Sequence, residues 1–287
     1  MIIDIHAHAC GAYSDAPKIL AALDEAKIAK VVLCPGEKDS NRSYNFPQFK
    51  RDPVYAVNRV ISLVTRLSGV AKHIEEMNQF VFSLCQKNPE RLLQGYWINP
   101  LHQQAVQHLD RDLGTFRFKL IKIHQCWTYC KINTPGFAAI ADWAAAHSLP
   151  IFIHLKSRRD ALDLIEFSAT RRATVFIVAH LIGIVEFCKS KDLSENVYFD
   201  ISCPPLVPLH KVQLALEHFG AARLLFGSDI PYGANNVPLN LARINGLALS
   251  QAEKDDILGH NAGRILQIAG ETSTGKGGIQ CPHETWS

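Results

Sequence analysis

The chain opens MIIDIHAHACG, with His6 and His8 one residue apart at the end of an apolar run. Side chains on a strand repeat with period two, so both imidazoles face the same way. Two imidazoles on one face of a strand end suit a divalent metal, although 13 histidines in the chain leave room for a chance pair. Groups of the same kind recur at the ends of other apolar runs. Lys122 and His124 stand in LIKIHQ, His154 in IFIHL, His180 in VFIVAH and Asp229 in LLFGSD. Ionisable groups are rare in such runs, because burying them unpaired is costly. Reading each one as a separately satisfied core residue needs several independent coincidences.

These positions matter only if the chain brings the run ends together. Eight short apolar, β-branched runs occur: MIIDIH (1–6), VVLCPG (31–36), GYWINP (95–100), LIKIHQ (120–125), IFIHL (151–155), VFIVAH (175–180), VYFDIS (197–202) and LLFGSD (224–229). Their continuous hydrophobicity suits parallel strands buried on both faces. Helical patterns lie between most of them, such as PKILAALDEAKIAK, PGFAAIADWAAAHSL, RRDALDLIEFSATRR and LHKVQLALEHFG. From the fourth run onward the repeat is 22 to 31 residues, the length of a βα unit. The expected fold is therefore α/β, a (β/α)8 TIM barrel over residues 1–268, with a doubly wound open sheet as the alternative. Barrel catalytic groups come from the C-terminal ends of several strands, where the groups above fall.

Fifty-eight residues (37–94) separate the second run from the third, which predicts a helical insertion after strand two. Its start, EKDSNRSYNFPQFKRDP, is polar and is either a lid over the substrate or an ordinary surface loop; the remainder reads as a long helix or a helix pair. Residues 269–287 form a polar C-terminal extension. Within it GETSTGK has P-loop spacing, but Gly277 follows and no strand precedes, so the match is read as chance.

HxH on the first strand, Lys122, His154, His180 and GSD on the last strand together resemble the amidohydrolase superfamily. GSDIPYG and ILGHNAGRIL (257–266) are similar to the amidohydrolase-related branch that includes aminocarboxymuconate-semialdehyde decarboxylase, and KLIKIHQ resembles its fourth strand. The resemblance implies that His6, His8, His154 and Asp229 hold a divalent metal, zinc first among the candidates. His180 is then either a ligand of a second metal or a free acid/base. Lys122 is either carbamylated to bridge two metals or left as a cation for the substrate, and His124 is a weaker candidate on the same face. Asp229 and His180 are the catalytic candidates. The expected activity is hydrolysis of an amide, lactone or ester by metal-activated water, with Asp229 moving the proton and His180 steadying the oxyanion. Non-oxidative decarboxylation of an unsaturated or aromatic carboxylic acid is the alternative. A non-catalytic, metal-free binding protein on the same scaffold is a third.

For substrate contacts the sequence offers Arg42, Lys50 and Arg51 in the lid candidate, KSRR (156–159) after strand five, and Trp127, Tyr129 and Tyr232 on loops. Cys10 follows HxH but has no base beside it. Net charge is +3, too mild for a nucleic-acid or membrane partner, and no apolar run reaches the roughly 18–20 residues of a membrane helix. Eight scattered cysteines, with a strand starting at Met1, suggest reduced thiols in a cytoplasmic enzyme. The expected partner is a small-molecule substrate, with a homodimer as the family-level expectation.

Overall fold

The computed structural model describes residues 1–37, 52–191, 193–233 and 235–268. Eight strands, β1 (Ile3–His8), β2 (Lys30–Cys34), β3 (Leu92–Trp97), β4 (Leu120–His124), β5 (Ile151–His154), β6 (Phe176–Val178), β7 (Val197–Asp200) and β8 (Leu224–Leu225), pair in chain order. Every pair is parallel. The Ile5 amide donates to Phe226 O and the His8 amide to Ile230 O, so the chain after β8 returns to β1. That return makes the sheet a (β/α)8 barrel and removes the open doubly wound alternative.

The helices follow the expected pattern. They are α1 (Ala16–Glu25), α2 (Val54–Ser68), α3 (Ile74–Cys85), α4 (Ala105–Phe116), α5 (Pro135–Ala146), α6 (Arg158–Thr170), α7 (Ile184–Lys189), α8 (Leu209–Phe219) and α9 (Asn236–Asn245), followed by the short α10 (Gln251–Asp255) and α11 (Asn261–Ile265). Asp15, Thr134 and Ser157 cap α1, α5 and α6, each accepting from a backbone amide three residues on. Two apolar layers result. Ile3, Ile5, Val32, Leu120, Phe152, Ile177 and Leu225 fill the barrel, while Ile19, Leu109, Phe137, Leu164 and Val212 press the helices onto its outside.

Several boundaries depart from expectation. β3 begins three residues earlier than expected, β6 ends before His180, and β8 spans only Leu224–Leu225, leaving Asp229 in the loop beyond it. Of the two readings of the insertion after β2, the helix pair is the one present, as α2 and α3. The polar lid candidate lies outside the described residues over 38–51, and so does the extension 269–287. The seven described cysteines form no disulfide. No described helix is long and apolar enough to cross a membrane.

One irregularity serves the site directly. Ile3 and Ile5 point into the barrel, so strict alternation would send His6 and His8 outward. Between Asp4 and Ala7, β1 spends one residue more than β2, a bulge that flips the facing. Ala7 joins the outer layer, and both histidines turn inward.

Candidate metal centre

The bulge places His6 Nε2 3.1 Å from His8 Nε2. Asp229 Oδ1 completes the figure at 3.5 Å from the first nitrogen and 3.4 Å from the second. Partners on the far side of each ring fix the tautomers. His8 Nδ1 lies 2.6 Å from Pro35 O, and a carbonyl only accepts, so Nδ1 carries the proton. His6 Nδ1 donates to Asp200 Oδ2 at 3.2 Å and lies 3.1 Å from Ser202 Oγ. Both Nε2 atoms therefore present bare lone pairs to one another and to a carboxylate oxygen. Three electron-rich atoms so arranged repel unless a cation or a donor offsets them; Lys122 Nζ, 2.8 Å from His6 Nε2, reaches only the first of the three nitrogen and oxygen atoms. Edges of 3.1–3.5 Å fit a tetrahedral ion, whose bonds of about 2.0–2.1 Å give donor separations of about 3.3–3.4 Å. The donor set thus fits a divalent metal.

The remaining expected residues surround this triangle. Lys122 Nζ, fully buried on β4, lies 2.8 Å from His6 Nε2 and 4.1 Å from the Phe152 ring centroid. Burial lowers its pKa. Burial, reinforced by the Lys122 charge, holds the His6 pKa well below the ordinary histidine value. His180 Nε2 faces Asp229 Oδ2 at 3.8 Å, so the carboxylate turns one oxygen to the HxH pair and the other to His180. His180 and Asp229 both adopt left-handed backbone, with φ of 53° and 60°. Hydrogen bonds hold that unfavourable geometry: the His180 amide donates to Asp200 Oδ2 and the Asp229 amide to His6 O. Gly227 of the GSD stretch has to be glycine, because a Cβ there would stand 2.5 Å from Asp200 Oδ1 and 3.0 Å from the His6 Cβ.

His154 is close by but engaged elsewhere. Register pairs it with His124, and the two rings stack at 3.9 Å with a 10° tilt. Trp97 lies nearly parallel over His124 at 5.5 Å, and Trp127 packs on Trp97 at 4.5 Å. His154 Nε2 meets Asn58 Oδ1 of α2 at 2.8 Å. One ligand atom each from His124, Cys126 and His154 falls within 4.8 Å of the others, as do atoms of His6, His180 and Asp229. Burial lowers the pKa of both His124 and His154 well below the ordinary value.

Tyr232 sits edge-on to His8 at 5.1 Å. Of the cations suggested for substrate, Arg42, Lys50 and Arg51 lie outside the described residues. Arg158 and Arg159 turn away, pairing with Glu186 at 2.5 Å and Asp163 at 2.9 Å on the helical surface. They are outward charges of α6, a solvated face and not a substrate contact. Tyr129 stacks under Lys156, 4.8 Å from its nitrogen, and is half exposed. Burial pushes the Cys10 thiol up to about 12, in keeping with a non-catalytic residue.

Sequence reasoning missed Asp200, Ser202 and Asn58. Asp200 was readable as an acid ending the seventh strand in VYFDIS, the same position as the other site groups. Ser202 Oγ donates to Asp200 Oδ2 at 2.5 Å and lies 3.0 Å from His180 Nδ1, so one hydroxyl touches both His6 and His180. Asn58 carries no sequence signal.

The amidohydrolase family profile matches residues 3–268. The chain belongs to the amidohydrolase family. Members are metal-dependent hydrolases and decarboxylases, and this chain is an enzyme of that kind. No curated protein sequence matches it. Among solved structures it resembles dihydroxybenzoic acid decarboxylase from Polaromonas sp. JS666, with bound manganese and the inhibitor 2-nitroresorcinol. The identity is 14%, the TM-score 0.69, and coverage 93% of this chain and 97% of that one. It resembles 5-carboxyvanillate decarboxylase from Sphingomonas paucimobilis at 13% identity and TM-score 0.66, covering 93% and 99%. It resembles 4-oxalomesaconate hydratase from Rhodopseudomonas palustris at 14% identity and TM-score 0.65, covering 93% and 96%. At these identities the likeness is one of fold.

Proposed function

We propose that this amidohydrolase-family chain hydrolyses an amide, lactone or ester bond of a small organic molecule, with His6, His8 and Asp229 holding one divalent ion, zinc first among the candidates. His154 is the adjoining imidazole of that set. Bound there, the ion supplies Lewis acidity toward water and toward a substrate carbonyl. The observation that carries the reading is the split of Asp229, with Oδ1 3.4–3.5 Å from the HxH nitrogens and Oδ2 3.8 Å from His180 Nε2. A carboxylate so placed takes a proton from an attacking water on one side and returns it to the leaving group on the other. Ser202 holds His180 by Nδ1, so Nε2 faces the developing oxyanion and stabilises it once protonated. Lys122, its ammonium disfavoured by burial, either donates a hydrogen bond as an amine or takes up CO2 as a carbamate.

One observation favours the second reading, non-oxidative decarboxylation. The tightest donor triangle among the described residues is His6, His8 and Asp229, and His180 Nε2 stands at its edge, 3.8 Å from Asp229 Oδ2, where it can act as an acid/base. A proton delivered by His180 to the substrate carbon, with CO2 leaving, needs no attacking water.

The test is a panel of small carboxylate-bearing lactones, amides and esters, with unsaturated and aromatic carboxylic acids beside them, assayed on zinc- and manganese-loaded protein. Acid release in a pH-stat reports lactone or ester hydrolysis, amine release reports amide hydrolysis, and CO2 evolution reports decarboxylation. Turnover lost in Asp229→Asn with acid or amine release supports hydrolysis. CO2 release alone overturns it in favour of the second reading.

A further inference from the structure

Asn58 lies on the inner face of α2, in the insertion, and is almost wholly buried. Its amide nitrogen donates to two main-chain carbonyls, Leu155 O and Lys156 O, both at 3.0 Å. Those carbonyls can only accept, so they use both Nδ2 protons and forbid the flipped amide. Oδ1 is thereby left as an obligate acceptor, aimed at His154 Nε2 at 2.8 Å. The imidazole must then carry its proton on Nε2. Its only lone pair is on Nδ1, and metals take the deprotonated nitrogen of a neutral ring.

We infer that Asn58 is a positioning residue that locks His154 in the Nε2–H tautomer and so leaves Nδ1 as its one nitrogen able to ligate a metal. The consequence for metal affinity rests on the metal-centre reading above; the tautomer assignment does not. The insertion is then part of the site's construction, reaching from α2 to the two residues after β5. The second tie of α2 to the barrel top is separate: Thr65 Oγ1, which also meets Ile61 O of its own helix, lies 3.0 Å from Cys126 O and has no hydrogen bond to His154. That separation provides the control.

The experiment uses the full chain with 15N-labelled histidine. His154 is assigned by the signal lost in His154→Gln, its tautomer is read from the ring nitrogens of metal-free protein, and zinc affinity is measured by competition with a chelator. The wild type is expected to show Nε2 protonated. Asn58→Ala is expected to mix the tautomers and weaken zinc binding about 10–100-fold, the usual effect of losing an outer partner of a metal histidine. Thr65→Ala is expected to leave both unchanged. If Asn58→Ala does not fold, the wild-type tautomer decides alone: a proton on Nε2 supports the inference and one on Nδ1 overturns it. A wild-type His154 protonated on Nδ1, wild-type zinc affinity in Asn58→Ala, or equal losses in the Thr65 variant would each overturn the inference. A wild type that binds no zinc would instead overturn the metal-centre reading, while the tautomer still decides the role of Asn58.

Discussion

Lys122 Nζ lies 2.8 Å from His6 Nε2. The lysine is fully buried, which favours its neutral amine. A neutral amine is the form that adds CO2. Lys122→Met, which keeps the stem volume, is expected to lower turnover at least about 100-fold while zinc still binds the HxH–Asp229 triangle. Native mass spectrometry of the wild type separates the two roles, since a carbamate adds the mass of one CO2 that the variant lacks. Full activity in the methionine variant would remove Lys122 from the site chemistry.

The donor triangle predicts a linkage between metal and folding. Zinc at 1,000 times its dissociation constant is expected to stabilise the native state by about 4 kcal/mol, and a chelator to reverse the gain. His6→Ala/His8→Ala is expected to abolish the zinc-dependent rise in Tm. A rise that persists in the double variant would place the ion elsewhere, with the His124, Cys126 and His154 group the next place to look.

Asp200 accepts from His6 Nδ1, from Ser202 Oγ and from the His180 amide. Carboxylates that orient a metal-bound histidine typically contribute 10–100-fold to affinity or activity, so Asp200→Asn is expected to weaken zinc binding by about that factor. Ser202→Ala should act on turnover more than on zinc binding, because it frees His180 while leaving the Asp200–His6 contact. Equal effects on the two readouts would contradict this division.

The imidazoles of His124 and His154 have pKa values held well below 6.5 by burial. The unfolded chain therefore binds protons near pH 6.5 that the native state refuses, and stability rises with pH through that region. These two imidazoles are expected to cost metal-free protein stability progressively below about pH 6.5, against the buried Asp4, whose carboxyl is pushed up to about 7 and so favours the native state on the acid side. His124→Gln should flatten the slope of Tm against pH between 5 and 7. An unchanged slope would mean that other groups carry the acid sensitivity.

Lys211 of α8, buried, meets the partly exposed Asp52 at 3.0 Å, where Asp52 also accepts from the first amide of α2. Burial lowers the Lys211 pKa, so its ammonium is held at neutral pH against desolvation. Asp52→Asn strands that charge and is expected to destabilise by about 1–3 kcal/mol, whereas Lys211→Met removes it and is expected to be near neutral. Urea unfolding of both variants checks the asymmetry.

The barrel and most of the ionisable residues gathered at its rim were legible in the chain. Strand-end histidines, Lys122 and Asp229 stand out because apolar runs tolerate few ionisable groups, and parallel βα units converge their C-terminal ends. Asp200 obeyed the same rule and was readable in VYFDIS. The arginines after β5 were not assignable, because a charge at a helix start reads the same whether it faces substrate or, as Arg158 and Arg159 do, a neighbouring carboxylate.

The sequence by itself thus determined which residue types reach the barrel rim, through the period-two strand pattern and the βα repeat, both local properties of the chain. Only the tertiary structure decided their facing and their tautomers. The β1 bulge that turns His6 and His8 inward is defined by a neighbouring strand. The Pro35, Asp200 and Asn58 contacts that set which nitrogen is bare join residues 27, 194 and 96 positions apart. Hydrogen-bond partners so distant in the chain leave no periodic trace, because they exist only once packing has brought the elements into contact.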